Sequence, residues 1–242
     1  MLPIQLARGM YIVRVQTATK KYWSKLTVQL KTFKICPEAD TKKFQCRLFL
    51  CSHIIKMIAK KIKVLGISGS LRPGSSSSCV LRIVANLFPD DIEFNILNGL
   101  EKIPAFDDSH DPPAAVKKFI RQISDSDGVF FCIPEYAFGV PGLLKNALDW
   151  TVSSTAFSFK PVALITAASS GEKAHASMLL TLSALGAKIS ERSALLISFI
   201  RTRLNEKNEI KDIETLAAIK KLIDEFIMTI RTNTMSRIEN DI

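Results

Sequence analysis

From residue 61 onward, short apolar runs alternate with longer stretches in which apolar residues recur every three to four positions. Runs of the first kind predict buried strands, and stretches of the second kind predict amphipathic helices. We predict strands near residues 62–67, 92–97, 128–133, 161–167 and 187–198. We predict helices near residues 76–88, 113–124, 141–153, 173–185 and 212–231. This alternation indicates one α/β domain, a parallel sheet with helices on both faces.

Five strand–helix units in succession favour the strand order 2-1-3-4-5. In that order, the loops that follow the first, third and fourth strands meet at one edge of the sheet. Open α/β sheets bind ligands at the carboxyl ends of their strands, where the strand order reverses. We therefore expect a binding site built from three loops.

The connection after the third predicted strand has the most informative sequence in the chain. Residues 134–150 read PEYAFGVPGLLKNALDW and follow the apolar run 128–133. Pro141 and Gly142 suit the opening of a helix. A plain surface loop requires neither the carboxylate of Glu135 nor the ring of Tyr136, so this loop predicts a ligand crevice.

The connection after the first predicted strand has the composition of an anion site. Residues 68–78 read SGSLRPGSSSS and lead into a helical pattern. Free amide groups and the positive end of a helix dipole favour a phosphate, and the guanidinium of Arg72 adds a planar pair of donors. The loop lacks both a Gly-Lys-Ser/Thr ending and a Gly-x-Gly-x-x-Gly pattern. A single terminal monophosphate therefore fits better than a nucleoside triphosphate or a dinucleotide.

Together, Gly-Ser-Leu-Arg-x-x-Ser and Pro-Glu-Tyr-x-x-x-x-Pro-Gly-x-Leu-Lys-Asn-Ala-x-Asp-Trp resemble the NAD(P)H-dependent FMN reductases. The resemblance covers roughly residues 61–230 of this chain. That family is flavodoxin-like and includes small quinone, chromate and azo reductases. The resemblance implies bound FMN, reduced by NADPH or NADH, that passes electrons to a flavin, quinone or similar small acceptor by a ping-pong mechanism. Because the flavin carries the chemistry, we expect neither a catalytic side chain nor a metal.

The resemblance also implies the residues that hold the flavin. Residues expected to bind its phosphate are Ser70, Arg72, Ser75 and Ser77, and those expected to line its ring are Pro134, Glu135, Tyr136, Ala137, Ser169, Ser170 and Gly171. Many members have asparagine in place of Ser77 and of Ala137. These two departures support one alternative, an FMN-binding scaffold without NAD(P)H turnover. A second alternative is an electron carrier of the flavodoxin type, although such carriers usually have a strongly acidic face and residues 61–242 have no net charge.

Several of these residues also have structural interpretations. The serines at 75–78 suit a helix N-cap, and Arg72 suits a solvated turn. Glu135 could cap a helix or pair with Lys145, and Tyr136 could serve packing alone.

For other residues near these loops a structural role is favoured. Asn146 and Trp150 fit packing or a subunit contact better than catalysis, and His175 fits a helix surface better than the ring edge. The irregular segment 98–113 is either a plain connection or, as the resemblance implies, lies beside the flavin or at a dimer contact.

The first sixty residues differ from the rest in charge. They contain twelve basic and two acidic residues, a formal charge of +10 that equals the net charge of the whole chain. Residues 61–242 are therefore neutral overall, and the basic pI does not indicate a nucleic-acid partner. We predict that 1–56 is an extension of doubtful status, that Met57 is the working start of a domain at 57–231, and that 232–242 is a frayed polar tail.

Cysteine usage and the family resemblance indicate the cellular location and the partners of the protein. The five cysteines include no Cys-x-x-Cys pair, and Cys79 and Cys132 fall in a predicted helix and strand. We therefore expect a reducing, cytoplasmic setting and no stable membrane association. The resemblance further implies a homo-oligomer, either a dimer or a tetramer. The sequence fixes neither the physiological acceptor nor the preference between NADPH and NADH.

Overall fold

Five parallel strands form the centre of the computed structural model, which describes residues 61–72 and 74–240, with side chains as far as 234. The strands are β1 (Ile62–Ser68), β2 (Ile92–Ile96), β3 (Gly128–Ile133), β4 (Val162–Ala167) and β5 (Ala194–Ile197). Their order in the sheet is β2-β1-β3-β4-β5, with every neighbouring pair parallel. The predicted fold class and strand order are confirmed. The extension at 1–56 and the predicted start at Met57 lie outside the described residues.

Helices cover both faces of this sheet. They are α1 (Ser76–Leu87), α2 (Ala114–Asp125), α3 (Gly142–Asp149), α4 (Glu172–Ala184), α5 (Ile200–Arg203) and α6 (Ile213–Asn240). Short 3₁₀ helices lie at Leu100–Lys102 and Glu191–Ser193. Buried side chains of α2, α3 and α4 form one hydrophobic cluster, and those of α1 and α6 form a second on the other side.

Strand β3 illustrates how the apolar runs produce these two clusters. Val129, Phe131 and Ile133 join the cluster of α2, α3 and α4, while Phe130 and Cys132 join the cluster of α1 and α6. Alternate side chains of a strand point to opposite faces, so a strand covered on both faces must be apolar throughout. Every residue of β3 and β4 is buried, as the continuous apolar runs predict.

The observed bounds of the strands and helices differ from the predicted bounds mainly near polar side chains. The predicted strand at 187–198 is reduced to β5, because a 3₁₀ turn with a Ser190–Ser193 hydroxyl contact of 2.9 Å precedes it. The predicted helix at 141–153 ends at Asp149, where the Thr151 hydroxyl donates to the Leu148 carbonyl.

The last helix, by contrast, is longer than predicted. Helix α6 continues through the predicted polar tail as far as Asn240. Thr232 and Thr234 are accommodated because each hydroxyl donates to the carbonyl one turn earlier, and the Asn233 amide donates to the Phe159 carbonyl at 3.2 Å. Within the described residues, no helix is both long enough and apolar enough to span a bilayer.

Both cysteines of the described domain are buried, in the helix and the strand predicted for them. Cys79 lies in α1 and Cys132 in β3, and neither forms a disulfide. Burial, with a smaller contribution from Cys79, raises the pKa of the Cys132 thiol well above its usual value. Because the thiolate is the nucleophilic form, Cys132 acts as a small apolar side chain.

Candidate functional site

Three loops meet at the carboxyl edge of the sheet, where the strand order reverses between β1 and β3. They follow β1 (69–75), β3 (134–141) and β4 (168–171). The three predicted loops therefore lie at one edge. A bond between two side chains joins the first loop to the second, and bonds from backbone amides to a carboxylate join the second to the third.

The loop after β1 contains a chain of serine hydroxyls at the N-terminus of α1. Ser75 is the N-cap: its backbone is extended, and its Oγ accepts from the Ser78 amide at 3.2 Å. The Ser75 hydroxyl also donates to the Ser78 Oγ at 2.7 Å, and the Ser78 Oγ lies 2.8 Å from the Ser68 Oγ. The Ser77 Oγ, buried beneath, lies 3.3 Å from the Ser75 Oγ. The predicted capping role of Ser75 is confirmed, and the serines stiffen the loop.

The outer part of this loop offers donors to solvent. Arg72 is exposed, and its guanidinium has no hydrogen-bond or ion-pair partner among the described residues. Its amide donates to the Ser70 Oγ at 3.2 Å. Gly74 has a positive φ of 69°, and a Cβ there would meet nothing within 4 Å. With the unpaired amides that begin any helix, this donor set and open space fit an anion such as a phosphate.

The loop after β3 is tied to the first loop by Tyr136. Its hydroxyl lies 2.9 Å from the Ser70 Oγ. Its amide and carbonyl pair with Gly139 at 3.1 and 2.9 Å, which closes a two-residue turn. The two central residues, Ala137 and Phe138, have φ values of 48° and 59°. Such turns favour asparagine and glycine, so asparagine at position 137 would suit this backbone better than alanine does.

Glu135 joins the same loop to helix α4. Its Oε1 accepts from the Gly171 amide at 3.2 Å, and its Oε2 accepts from the Ala174 amide at 3.0 Å. A carboxylate at this position satisfies unpaired amides and complements the positive end of the helix dipole. The predicted cap interpretation of Glu135 is confirmed. Lys145 pairs with Asp149 instead, with 2.5 Å between Nζ and Oδ1.

The loop after β4 exposes Ser169 and Ser170 and is held from its far side by residues that follow β5. The Ser198 hydroxyl donates to the Ser170 carbonyl at 2.9 Å, and the Phe199 amide donates to the Ser169 carbonyl at 3.1 Å. Gly171 has a φ of 97°, and a Cβ there would lie 2.7 Å from a leucine side chain. Phe199 is part of the loop assembly that the sequence did not reveal, since no motif marks it.

The second half of the long motif holds the segment 98–113 in position. The Asn146 Nδ2 and the Trp150 Nε1 both donate to the Pro104 carbonyl, at 2.8 and 3.0 Å. The Phe106 amide donates to the Asn146 Oδ1 at 2.8 Å, and its ring meets Trp150 edge-on with 5.1 Å between centroids. The predicted structural roles of Asn146 and Trp150 are confirmed.

The predicted helix-surface position of His175 is wrong: the residue is half-buried in the first turn of α4 and faces the sheet. Its Nδ1 is 2.9 Å from the Oγ1 of the buried Thr166 at the end of β4. Burial lowers the pKa of His175 below its usual value near 6.5. The neutral imidazole therefore serves the contact between helix and strand.

Comparison with known proteins identifies the family. The sequence model of the NADPH-dependent FMN reductases matches residues 62–201, more than half of the chain. The chain belongs to this family.

Two curated relatives of this FMN reductase chain match part of its length. The quinone reductase of Escherichia coli K12 is 38% identical over 97 residues, which are 38% of this chain and 52% of that protein. The NAD(P)H-dependent FMN reductase of Pseudomonas aeruginosa is 38% identical over 109 residues, 43% of this chain and 58% of that protein. The chain thus spans about half the length of the curated relatives it matches.

Among solved structures, FerB of Paracoccus denitrificans, a flavoenzyme described as an NAD(P)H:(acceptor) oxidoreductase, has the same flavodoxin-like fold. The TM-score is 0.63 at 23% identity, covering 71% of this chain and 98% of that protein. The match covers nearly the whole length of FerB, so the two proteins agree over the complete fold of that protein.

Proposed function

We propose that this protein is an FMN-dependent oxidoreductase that transfers electrons from NADPH or NADH to a small acceptor such as a quinone or a flavin. The observation that carries the proposal is the joining of three loops at the strand-order reversal. Ser70 and Tyr136 link the first loop to the second, and the Glu135 carboxylate links the second to the third. Family membership and the functions named for the curated relatives support it.

In this proposal the first loop binds the FMN phosphate. The guanidinium of Arg72, the hydroxyl of Ser70 and the free amides at the start of α1 supply charge and donors. Ser75 and Ser77, whose hydroxyls bind neighbouring serines, shape the cradle from beneath.

The other two loops line the flavin ring. One wall consists of Pro134 and the backbone of Glu135 and Ala137, with the Tyr136 ring beside them. The third loop supplies Ser169, Ser170 and Gly171. Because the Glu135 carboxylate is already bound to α4, this residue offers its main chain to the ring.

Bound FMN supplies the redox chemistry, since it takes two electrons from NAD(P)H and passes them to an acceptor. The protein would bind the FMN and orient it. If NAD(P)H and the acceptor use the same exposed loop edge in turn, as the family resemblance implies, the kinetics would be ping-pong.

The visible spectrum of the purified protein tests this proposal. Spectra are recorded with and without added FMN, and NADPH is then added without air. A flavin band that NADPH bleaches supports the reductase. A band that NADPH does not bleach indicates a carrier, and a protein that binds no FMN contradicts the proposal.

Replacing Arg72 tests the phosphate site directly. Arg72→Ala is expected to weaken FMN binding by about 1.5–3 kcal/mol, or ten- to a hundredfold, because a charge-assisted hydrogen bond to the phosphate is lost. The dissociation constant is measured by quenching of flavin fluorescence. Arg82→Ala, an exposed arginine on α1, is the matched control. Equal affinities in the two variants would remove Arg72 from the site.

A further inference from the structure

A short segment that follows β5, residues 198–203, holds the loop after β4 on the side away from β3. Three donors of this segment bind the carbonyls of three consecutive loop residues. The pairs are the Ile200 amide with Ala168 at 3.2 Å, the Phe199 amide with Ser169 at 3.1 Å, and the Ser198 hydroxyl with Ser170 at 2.9 Å. Because all three carbonyls have a donor, the segment fixes the direction of each peptide group in this loop.

These bonds also set where the amides of the loop point. In a planar trans peptide the N–H points opposite to the C=O of the same peptide group. Since the three carbonyls face the 198–203 segment, the amides of Ser169, Ser170 and Gly171 face the other way, toward the loop after β3. The Gly171 amide shows this direction, because its acceptor is the Glu135 carboxylate at 3.2 Å. In the part of the chain that the structure describes, the Ser169 and Ser170 amides have no acceptor, so two N–H donors are available to a ligand on this side.

Arg203 joins the 198–203 segment to the last helix. Its Nε donates to the Ser198 carbonyl at 3.1 Å, and its Nη1 donates to the Asp212 Oδ2 at 2.7 Å and to the Thr215 Oγ1 at 2.9 Å. Hydrogen bonds from Thr215, with a smaller contribution from Arg203, hold the pKa of Asp212 below its usual value, so this carboxylate stays charged at neutral pH. Thr215 is buried in the first turn of α6. The segment is therefore fixed to a long helix as well as to the loop that it supports.

We propose that Ser198 and Arg203 are positioning residues of the reductase. They act through the loop after β4, whose Ser169 and Ser170 amides they aim at bound FMN, and they thereby favour the reduced form of the flavin. The proposal rests on the reductase function proposed above. Hydride transfer from NAD(P)H leaves NAD(P)⁺ and adds two electrons, one proton and hence one negative charge to the flavin. N–H donors held in a fixed direction stabilise this added charge, and they bind the oxidised form, which lacks it, less strongly.

The dissociation constants of oxidised FMN and of FMN reduced by dithionite, measured with the full-length protein, test the proposal. Ser198→Ala removes one donor to the loop and leaves the rest of the segment in place. It is expected to raise the constant for reduced FMN about three- to tenfold, the range of one hydrogen bond, while the constant for oxidised FMN stays within about twofold of the wild type. The midpoint potential of bound FMN is expected to fall correspondingly, by about 30 mV for a tenfold change in the ratio of the two constants.

The same segment contains a matched control. The Thr202 hydroxyl donates to the Phe199 carbonyl at 2.8 Å, so its bond lies within the segment and does not reach the loop. Thr202→Val loses this hydroxyl with little change of shape and is expected to leave both dissociation constants unchanged. Arg203→Lys keeps a positive charge beside Asp212 but cannot supply the Nε and Nη1 bonds together. It is expected to weaken the binding of reduced FMN selectively, as Ser198→Ala does.

Equal weakening of oxidised and reduced FMN in Ser198→Ala would overturn the proposal, because it would show a role in the shape of the site alone. Unchanged constants in Ser198→Ala, or the same selective loss in Thr202→Val, would overturn it as well, and these results hold even if Arg203→Lys does not fold. Failure of the reductase function is distinguishable, because dithionite reduces FMN without NADPH. A wild-type flavin that NADPH does not bleach removes the reductase function, while the ratio of the two constants still tests the positioning role. A wild type that binds no FMN overturns both.

Discussion

At the scale of single residues, the turn after β3 has a backbone that its sequence does not suit. Ala137 and Phe138 both have positive φ, although neither is glycine or asparagine. The sequence could not reveal this turn, because the usual Asn-Gly signal is missing and only the pairing of Tyr136 with Gly139 defines it. The capping serines, in contrast, were predictable because a local rule governs them.

Ala137→Asn is therefore expected to raise the free energy of unfolding by about 0.5–1 kcal/mol, since asparagine tolerates the left-handed region. Urea denaturation measures the change. Ala176→Asn, at an exposed position of α4, is the control and is expected to lower stability because asparagine is a poorer helix former. Destabilisation by both substitutions would contradict the assigned turn.

His175 gives the protein a predictable dependence on pH. Its pKa is lowered by burial in the folded protein, so as pH falls through 6.5 the unfolded chain binds a proton that the folded protein does not. The free energy of unfolding is therefore highest above this pH and is expected to decrease progressively below it. His175→Gln keeps a partner for Thr166 but cannot titrate.

Urea unfolding of both proteins between about pH 7.5 and pH 5.5 measures this contribution, and the variant is expected to lose less stability than the wild type over that range. His110→Gln, at an exposed position, is the matched control. Parallel losses in the His175 variant and the wild type would show that this imidazole contributes nothing to the pH dependence.

At the scale of elements, strands were easier to predict than the helix ends, and contacts between loops were not predictable at all. The strands β3 and β4 follow from continuous apolar runs, which any two-sided sheet requires. The end of α3 lies beside the Thr151 hydroxyl, and the part of α6 beyond residue 231 contains the Thr234 hydroxyl; both bond locally in ways that the apolar pattern does not encode. The partners of Glu135 lie 36 and 39 residues away and need the folded sheet to become neighbours.

Removing the Glu135 carboxylate tests the link between two of these elements. Glu135→Ala is expected to cost about 1–3 kcal/mol in the free energy of unfolding, because two amides at the start of α4 lose their acceptor. Glu135→Gln retains one oxygen and is expected to cost less. Asp149→Ala breaks the exposed pair with Lys145 and serves as the control, with an expected cost under about 1 kcal/mol. Equal costs at the two sites would argue against the cap.

At the scale of the whole molecule, the neutral domain and the basic extension are chemically separate parts of the chain. All of the net positive charge lies in the first sixty residues. Among the residues that the structure describes, the two hydrophobic clusters and the three loops lie between positions 62 and 230.

Deleting residues 1–56 is therefore expected to leave the thermal unfolding midpoint, FMN affinity and NADPH oxidation unchanged. The truncated and full-length proteins are compared by calorimetry and by flavin titration. A truncated protein that fails to fold or loses FMN would show that the extension belongs to the domain.

The Glu135 carboxylate also limits how the loops of this protein can be exchanged in protein engineering. Because this carboxylate joins the loop after β3 to the helix after β4, each of the two segments supplies the hydrogen-bond partner of the other. Grafting only one of them from a relative would leave either a half-buried carboxylate or the first amides of a helix without a hydrogen-bond partner. Exchanging these segments between family members therefore requires that both be transplanted together.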